Sequence, residues 1–289
     1  MANKVSDVAI AIPAYRSAER LSRCLRSIQK LDQDWLSLTV VTDDSGDGQV
    51  AQALREEFPT VTWIIHSENL GFARASNDAV FACKNEWVLL LNDDSELVDD
   101  PRKPLQNLLA DTALFALSLQ SVDEHGKVRE GAKRLSWRVG IAKILHSKKD
   151  QLPLVAGVSE TAYAVGGHSL FRRSVFQELG GFDELFHPFY WEDVDLSYRA
   201  RKVGWRVVFS ANAKILHRID GAIKSTQTRN AIQVATWRNR LLFSHRHAPG
   251  IQRLLIPVGI LWHKIRAHML HDHARLQAIS EFETQRHSR

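Results

Sequence analysis

Cysteine is nearly absent from this 289-residue chain: Cys24 and Cys83 are the only two. Both fall in helix-like segments without metal-ligand spacing, so a reduced, cytoplasmic setting is the default. Long apolar runs are missing as well. The longest, residues 254–262, is interrupted by Pro257 and Gly259 and falls short of the roughly 18–20 residues that a membrane span requires. The first residues enter a strand pattern without the apolar stretch of a signal peptide. Neither G-x-G-x-x-G nor G-x-x-x-x-G-K-[ST] occurs, which argues against dinucleotide oxidoreductases and P-loop NTPases. No internal repeat or low-complexity tract is found.

What is present suits a globular protein. With 44% hydrophobic and 25% charged residues, the chain can bury a sizeable core as one large α/β domain with an appendage, or as two small domains. The net charge of +5 conceals an asymmetry. Residues 127–149 carry eight Lys/Arg against Glu130 alone, and residues 224–289 carry eleven against three acids. The remainder is net acidic. Such a core with two basic flanks suits a metal-bearing site whose neighbours meet phosphates or an anionic membrane surface.

Short apolar runs alternate with helix-period segments up to residue 91, the pattern of a parallel sheet with helical crossovers. Residues 8–12, 38–41, 61–65 and 87–91 read as strands, and Ser17 reads as the cap of the first helix. The last strand ends in Asn92-Asp93-Asp94. Ligands of open α/β sheets sit beyond strand carboxyl ends, and two adjacent carboxylates there repel unless a cation such as Mg²⁺ or Mn²⁺ lies beside them. A second cluster, Glu192, Asp193 and Asp195, opens a helix behind Phe186, Phe189, Tyr190 and Trp191. Leu196, Ala200 and Val203 form that helix's expected apolar stripe, and Gly204 ends it. Aromatic walls set the pKa and position of a carboxylate, as a general base needs. Asp195 reads as the i+4 partner of Arg199. Beyond residue 100 the alternation fades, and from about residue 226 the pattern turns helical.

AIPAY (11–15), VVTDDSGDG (40–48), NLGFARASNDA (69–79), LLLNDD (89–94), VGGHSLFRRSVFQELGGFDELF (165–186), YWEDVDLSYRARKVGWRVVF (190–209) and His217 resemble, in this order, family 2 glycosyltransferases, particularly the bacterial rhamnosyltransferase-like branch. The resemblance implies an α/β GT-A fold, a mostly parallel central sheet flanked by helices. Its catalytic domain would occupy residues 1–220, with a nucleotide-binding half at about 1–100 and an acceptor half at about 101–220. Residues 221–289 would form a C-terminal helical appendage. It further implies a nucleotide-diphosphosugar donor (a dTDP- or UDP-sugar, dTDP-rhamnose among them), a divalent cation and transfer with inversion to a saccharide or lipid-linked acceptor in cell-surface polysaccharide synthesis.

On the same basis, Asp93 and Asp94 match the short acidic metal motif, with Asp94 the direct ligand and His217 completing the metal or diphosphate shell. Asp43, assisted by Asp44, matches the aspartate that holds the base edge or ribose. Pro13 and Tyr15 would line the base pocket. Asn69, Gly71, Phe72 and Asn77 would lie beside the diphosphate and sugar, with Arg74 on a phosphate. Asp193 is the expected base. Glu192, Trp191, Gly166 and Gly167 are expected at the acceptor. A sugar-1-phosphate nucleotidyltransferase and a non-catalytic nucleotide-sugar scaffold are the alternatives; the first lacks its G-x-G-T-R loop here, and the second would have lost its acids. No nucleic-acid partner is expected. Residues 251–270 mix apolar and basic side chains, as an element lying on the anionic inner membrane face would, or as a helix packed on the core or another subunit would.

Overall fold

The structure, a computed structural model, describes residues 8–145, 154–217 and 227–287. The expected division near residue 220, the helix start near 226, and Lys148 and Lys149 of the first basic flank lie outside these residues.

Strands β1 (Val8–Ala14), β2 (Thr39–Asp43), β3 (Thr62–Ile65) and β4 (Trp87–Leu91) pair in parallel in the order β3-β2-β1-β4. Helices α1 (Ala18–Leu31), α2 (Gln33–Leu36), α3 (Gln49–Leu54) and α4 (Phe72–Ala82) connect them. Every residue of β1 and β4 is buried, which is why both read as continuous apolar runs instead of alternating ones. Ser17 caps α1 as expected, its hydroxyl accepting from the Arg20 N–H at 3.3 Å.

The second half begins with β5 (Ser95–Leu97), α5 (Arg102–Leu109), β6 (Leu114–Val122) and β7 (Val128–Glu130). A hairpin of β8 (Arg134–Arg138) and β9 (Ile141–Leu145) stands apart from the main sheet. Then follow β10 (Val158–Glu160), β11 (His168–Arg172), α6 (Arg173–Glu178), α7 (Glu192–Lys202) and β12 (Arg206–His217). β11 runs antiparallel between β4 and β6, and β12 runs parallel to β6 but antiparallel to β5 and β10. The ten-stranded sheet among the described residues is therefore parallel in its first half and mixed in its second.

Two registers set the site. Pairing of His168 with Leu91 continues into a bond from the Asn92 N–H to the Gly167 carbonyl at 2.9 Å, which lays Gly166-Gly167 against the end of β4. Pairing of His217 with Ser95 brings the end of β12 beside Asp94. Close approach explains the second glycine: a Cβ on Gly167 would fall 2.2 Å from the Asn92 side-chain amide.

The C-terminal helices are α8 (Arg229–His247), α9 (Gly250–Met269) and α10 (His273–His287). Leu241 and Phe243 of α8, Ile256 of α9 and Phe282 of α10 share an apolar cluster with Trp191, Val194 and Ile141. Leu196 and Ala200 of α7 are buried, but Val203 is 66% exposed, because α7 ends there and Gly204 turns the chain at φ +95°. Among the described residues no helix is long and apolar enough to cross a membrane.

Candidate active site

One cavity of about 400 Å³ lies over the carboxyl ends of β1 and β4. Both acidic clusters line it: Asp93 and Asp94 just beyond the end of β4, Glu192 and Asp193 at the start of α7. Pro13, Tyr15, Asn69, Gly71, Phe72, Gly166, Gly167 and His217 also line it, as the sequence motifs anticipate. Chain segments more than 90 residues apart in sequence thus form a single wall.

Asp93 accepts from the Tyr15 N–H at 3.4 Å and lies 3.6 Å from the Arg20 guanidinium. Burial pushes its carboxyl up to about 7, with Arg20 pulling down and Asp94 pushing up. Asp94 Oδ1 is buried without a hydrogen-bond donor, 3.3 Å from His217 Nε2. A buried carboxylate oxygen left in this state is costly, and a cation would satisfy it. Among the described residues no three side chains already close around an ion. A carboxylate–imidazole pair that leaves the other positions to phosphate oxygens suits Mg²⁺ or Mn²⁺, so the residues present fit the metal.

Asp193 is half-buried. Its Oδ2 accepts from the Gly166 N–H at 3.2 Å and its Oδ1 from the Val194 N–H at 2.8 Å. Burial lifts the Asp193 carboxyl to about 6, against these backbone bonds and the Lys133 charge. Glu192 is more deeply buried, and burial followed by the neighbouring Asp193 charge holds it well above the carboxylate range. One of its oxygens, Oε2, has no partner. Burial raises both adjacent acids, so the pair can hold a proton above the ordinary carboxylate range.

Tyr190 and Trp191, immediately before the pair, both adopt left-handed backbone, at φ +72° and +78°. Non-glycine residues there cost about 1–3 kcal/mol each. Asn239 of α8 offsets this: its buried side-chain amide donates to the carbonyls of Phe186 at 2.6 Å, Phe189 at 2.9 Å and Tyr190 at 3.0 Å. Behind α7, the fully buried Asp195 accepts from Arg199 at 2.6 Å, as expected, and also from His247 at 2.7 Å.

Four expected site residues fall elsewhere. Asp43 is fully buried and outside the cavity; its oxygens accept from the Ser45 N–H at 3.1 Å and the Ala51 N–H at 2.9 Å, so it locks the loop before α3. Arg74 points to the outer face, 2.8 Å from Asp78 and 3.6 Å from Glu184. Asn77 is consumed by the Phe182 backbone, donating and accepting at 2.8 Å. Trp191 packs against Phe243 in the apolar cluster and is absent from the cavity wall. Asp44 does reach the wall, yet its carboxylate is saturated by His66 (2.7 Å), Leu70 N–H (2.9 Å), Gly71 N–H (2.9 Å) and Asn69 (3.1 Å). It shapes the Asn69–Gly71 turn instead of offering a free acceptor.

Other wall residues were not singled out from the sequence. Glu130 lines the cavity. Burial alone would raise its carboxyl, but the Lys133 ammonium at 2.6 Å and the His168 ring at 3.6 Å help to bring it down to about 2. Its signal was present: it is the one acid in an otherwise basic run. Asn92 and Tyr190, already noted in the sequence beside the two acidic clusters, also line the cavity.

Comparison with known proteins agrees with this geometry. The family described as "Glycosyltransferase like family 2" matches residues 6–240. An N-acetylglucosaminyl-diphospho-decaprenol L-rhamnosyltransferase of Mycobacterium tuberculosis is 26% identical over 226 residues, 70% of this chain and 73% of that protein. A pre-mycofactocin glycosyltransferase of the same organism is 27% identical over 223 residues, 73% of this chain but only 42% of the relative. Among solved structures, GalNAc-T7 with UDP, GalNAc and Mn²⁺ superposes with a TM-score of 0.62 at 16% identity, covering 82% of this chain and 47% of that one. The mannosyltransferase PcManGT from Pyrobaculum calidifontis, with GDP-Man and Mn²⁺, gives 0.56 at 17% identity, covering 96% and 82%. These neighbours share the GT-A fold. The chain belongs to glycosyltransferase family 2.

Proposed function

We propose that this transferase moves a sugar from a nucleotide diphosphate to a hydroxyl of a saccharide or lipid-linked saccharide, with inversion at the anomeric carbon. The observation that carries the reading is the single cavity shared by Asp94, whose Oδ1 lacks a donor, and Asp193, held by the Gly166 N–H. Asp193 takes the acceptor hydroxyl proton as the new C–O bond forms on one face of the sugar. The bond from the anomeric carbon to the diphosphate oxygen breaks on the other face, and its electron pair leaves with the nucleoside diphosphate. Glu192, protonated, donates to a sugar or acceptor oxygen. Asp94 and His217 would hold a divalent cation, which would neutralise charge developing on the leaving diphosphate.

Asp93 sits beside Tyr15 and Arg20 at the nucleotide end, where Pro13 and Tyr15 would face the base and Asp93 the ribose. Three of the named proteins support the donor and acceptor classes: the mycobacterial relative acts on a lipid-diphosphate-linked sugar, and both structural neighbours hold a nucleotide or nucleotide sugar with Mn²⁺. A rhamnose donor is in keeping with that relative's name, and the family resemblance extends the reading to a dTDP- or UDP-sugar, dTDP-rhamnose among them, and to a place in cell-surface polysaccharide synthesis. Residues 251–270 enter the same reading as a membrane-facing element on the cytoplasmic side. The deciding experiment is a screen of nucleotide sugars by thermal shift with and without Mn²⁺. Product NMR on the best donor should show an anomeric configuration opposite to the donor's; retained configuration contradicts a single displacement with Asp193 as base.

A further inference from the structure

Helix α9 is apolar on two opposite faces. Ile256, Ile260 and Ala267 are buried against the rest of the protein. On the other side, Ile251, Leu254, Val258, Leu261, Ile265 and Met269 form a stripe at three- and four-residue spacing, each between 52% and 76% exposed. At 1.5 Å per residue this stripe runs about 27 Å. The helix contains no Asp or Glu. By helical period, exposed Arg253 and Lys264 lie along one border of the stripe and Arg266 along the other.

The first basic flank meets this helix. The tip of the β8–β9 hairpin is seated on α9: the Gly140 N–H donates to Gln252 at 2.8 Å. A Cβ on Gly140 would lie 2.5 Å from Ile256 N, and one on Gly259 would lie 2.1 Å from the Val139 carbonyl. One face of the hairpin carries Trp137, which stacks on Phe243 at 5.9 Å. Pairing puts exposed Arg134, Lys143 and Arg138 on the other face, with exposed Val139 at the tip. Two basic segments that lie over 100 residues apart in sequence thus frame one apolar helix face.

We propose that α9 and the β8–β9 hairpin form one docking surface for an anionic lipid bilayer, the stripe entering the headgroup–acyl boundary and the cations meeting lipid phosphates. Charge complementarity selects this occupant. A second copy docked stripe to stripe would set the same cationic borders against each other, whereas an anionic headgroup layer neutralises them. The inference deepens the membrane-facing role given to 251–270. It is scored without donor or acceptor, so its failure leaves the sugar-transfer reading standing.

The test is sedimentation of the full chain with vesicles of phosphatidylcholine alone or mixed with phosphatidylglycerol. Wild type should bind the mixed vesicles, bind the neutral ones far less, and be released by salt. Arg138→Glu with Lys143→Glu should weaken binding by about 10-fold or more, given roughly fivefold per basic residue. Leu254→Glu with Leu261→Glu should abolish it at low salt, with the nucleotide-plus-Mn²⁺ thermal shift unchanged. If that pair misfolds, Leu254→Ser with Leu261→Ser supplies the same comparison. Absent binding to mixed vesicles, equal binding to neutral ones, or variants that bind like wild type would overturn the proposal. A wild-type dimer that the stripe substitutions convert to monomer would overturn it too, since a second copy would then cover the face.

Discussion

The Asn239 side-chain amide donates to the Tyr190 carbonyl at 3.0 Å, across 49 residues of sequence and between α8 and the loop that ends at Glu192. The C-terminal helices thereby act as a brace for the loop that leads into Glu192 and Asp193. Asn239 satisfies the Phe186, Phe189 and Tyr190 carbonyls from outside the loop, while the Trp191 carbonyl accepts from the Asp195 N–H at 2.8 Å, and together these bonds offset the left-handed backbone at Tyr190 and Trp191.

Asn239→Ala should therefore affect stability and turnover together. Leaving the loop carbonyls buried without donors should cost about 2–3 kcal/mol in denaturant unfolding. Misplacement of Asp193 should lower kcat by about 10²-fold. The KM for donor should stay near wild type, because the nucleotide end of the cavity is built from β1 and β4. A kcat equal to wild type would show that the loop holds its shape unaided.

The raised Asp193 carboxyl gives a pH profile. A base at about 6 must be ionised to work, so kcat should rise with pH, reach half its plateau near pH 6 and level off above. Stability runs the other way. The folded state binds this proton more tightly than an unfolded Asp of about 3.9 does, so the group's contribution is full below that value and is lost as pH rises through about 6. Flat kcat between pH 5 and 7, on the order of one unit either side of the midpoint, would assign the proton transfer to another group.

Asp94→Ala removes the carboxylate whose Oδ1 has no protein donor. Wild type should gain stability from UDP plus Mn²⁺, about 2.7 kcal/mol at a hundredfold excess over Kd. The variant should lose nearly all of the Mn²⁺-dependent increment and keep the nucleotide-only part. His217→Ala should reduce the increment less. An unchanged increment in Asp94→Ala would place the cation elsewhere.

Much of this architecture was legible because apolar runs and acid positions carry direct signals. β1 and β4 are buried on both faces and read as unbroken hydrophobic segments, and Asn92-Asp93-Asp94 marks the carboxyl end of β4 where ligands collect. Other features depend on contacts that one position cannot announce. An aspartate at a strand end reads alike whether it lines the cavity, as Asp93 does, or caps its own loop, as Asp43 does. Arg74 and Asn77 sit on α4, only the start of which borders the cavity; helix rotation relative to the sheet decides which side chains turn inward. The β8–β9 hairpin was blurred by basic residues on its exposed face. From sequence, Asn239 reads as an acceptor contact or part of a solvated helix face; its bracing role lies in three carbonyls some 50 residues away, which the sequence does not announce.

Asp193→Asn is the most direct test, since it keeps the shape of the side chain and removes its ability to take a proton, with the loss of one of the two backbone bonds to its oxygens. Single-turnover sugar transfer should fall by about 10²–10⁴-fold, with donor and Mn²⁺ binding by thermal shift unchanged. Transfer at the wild-type rate with intact donor binding would contradict the assignment of the base and, with it, the catalytic geometry drawn from this cavity.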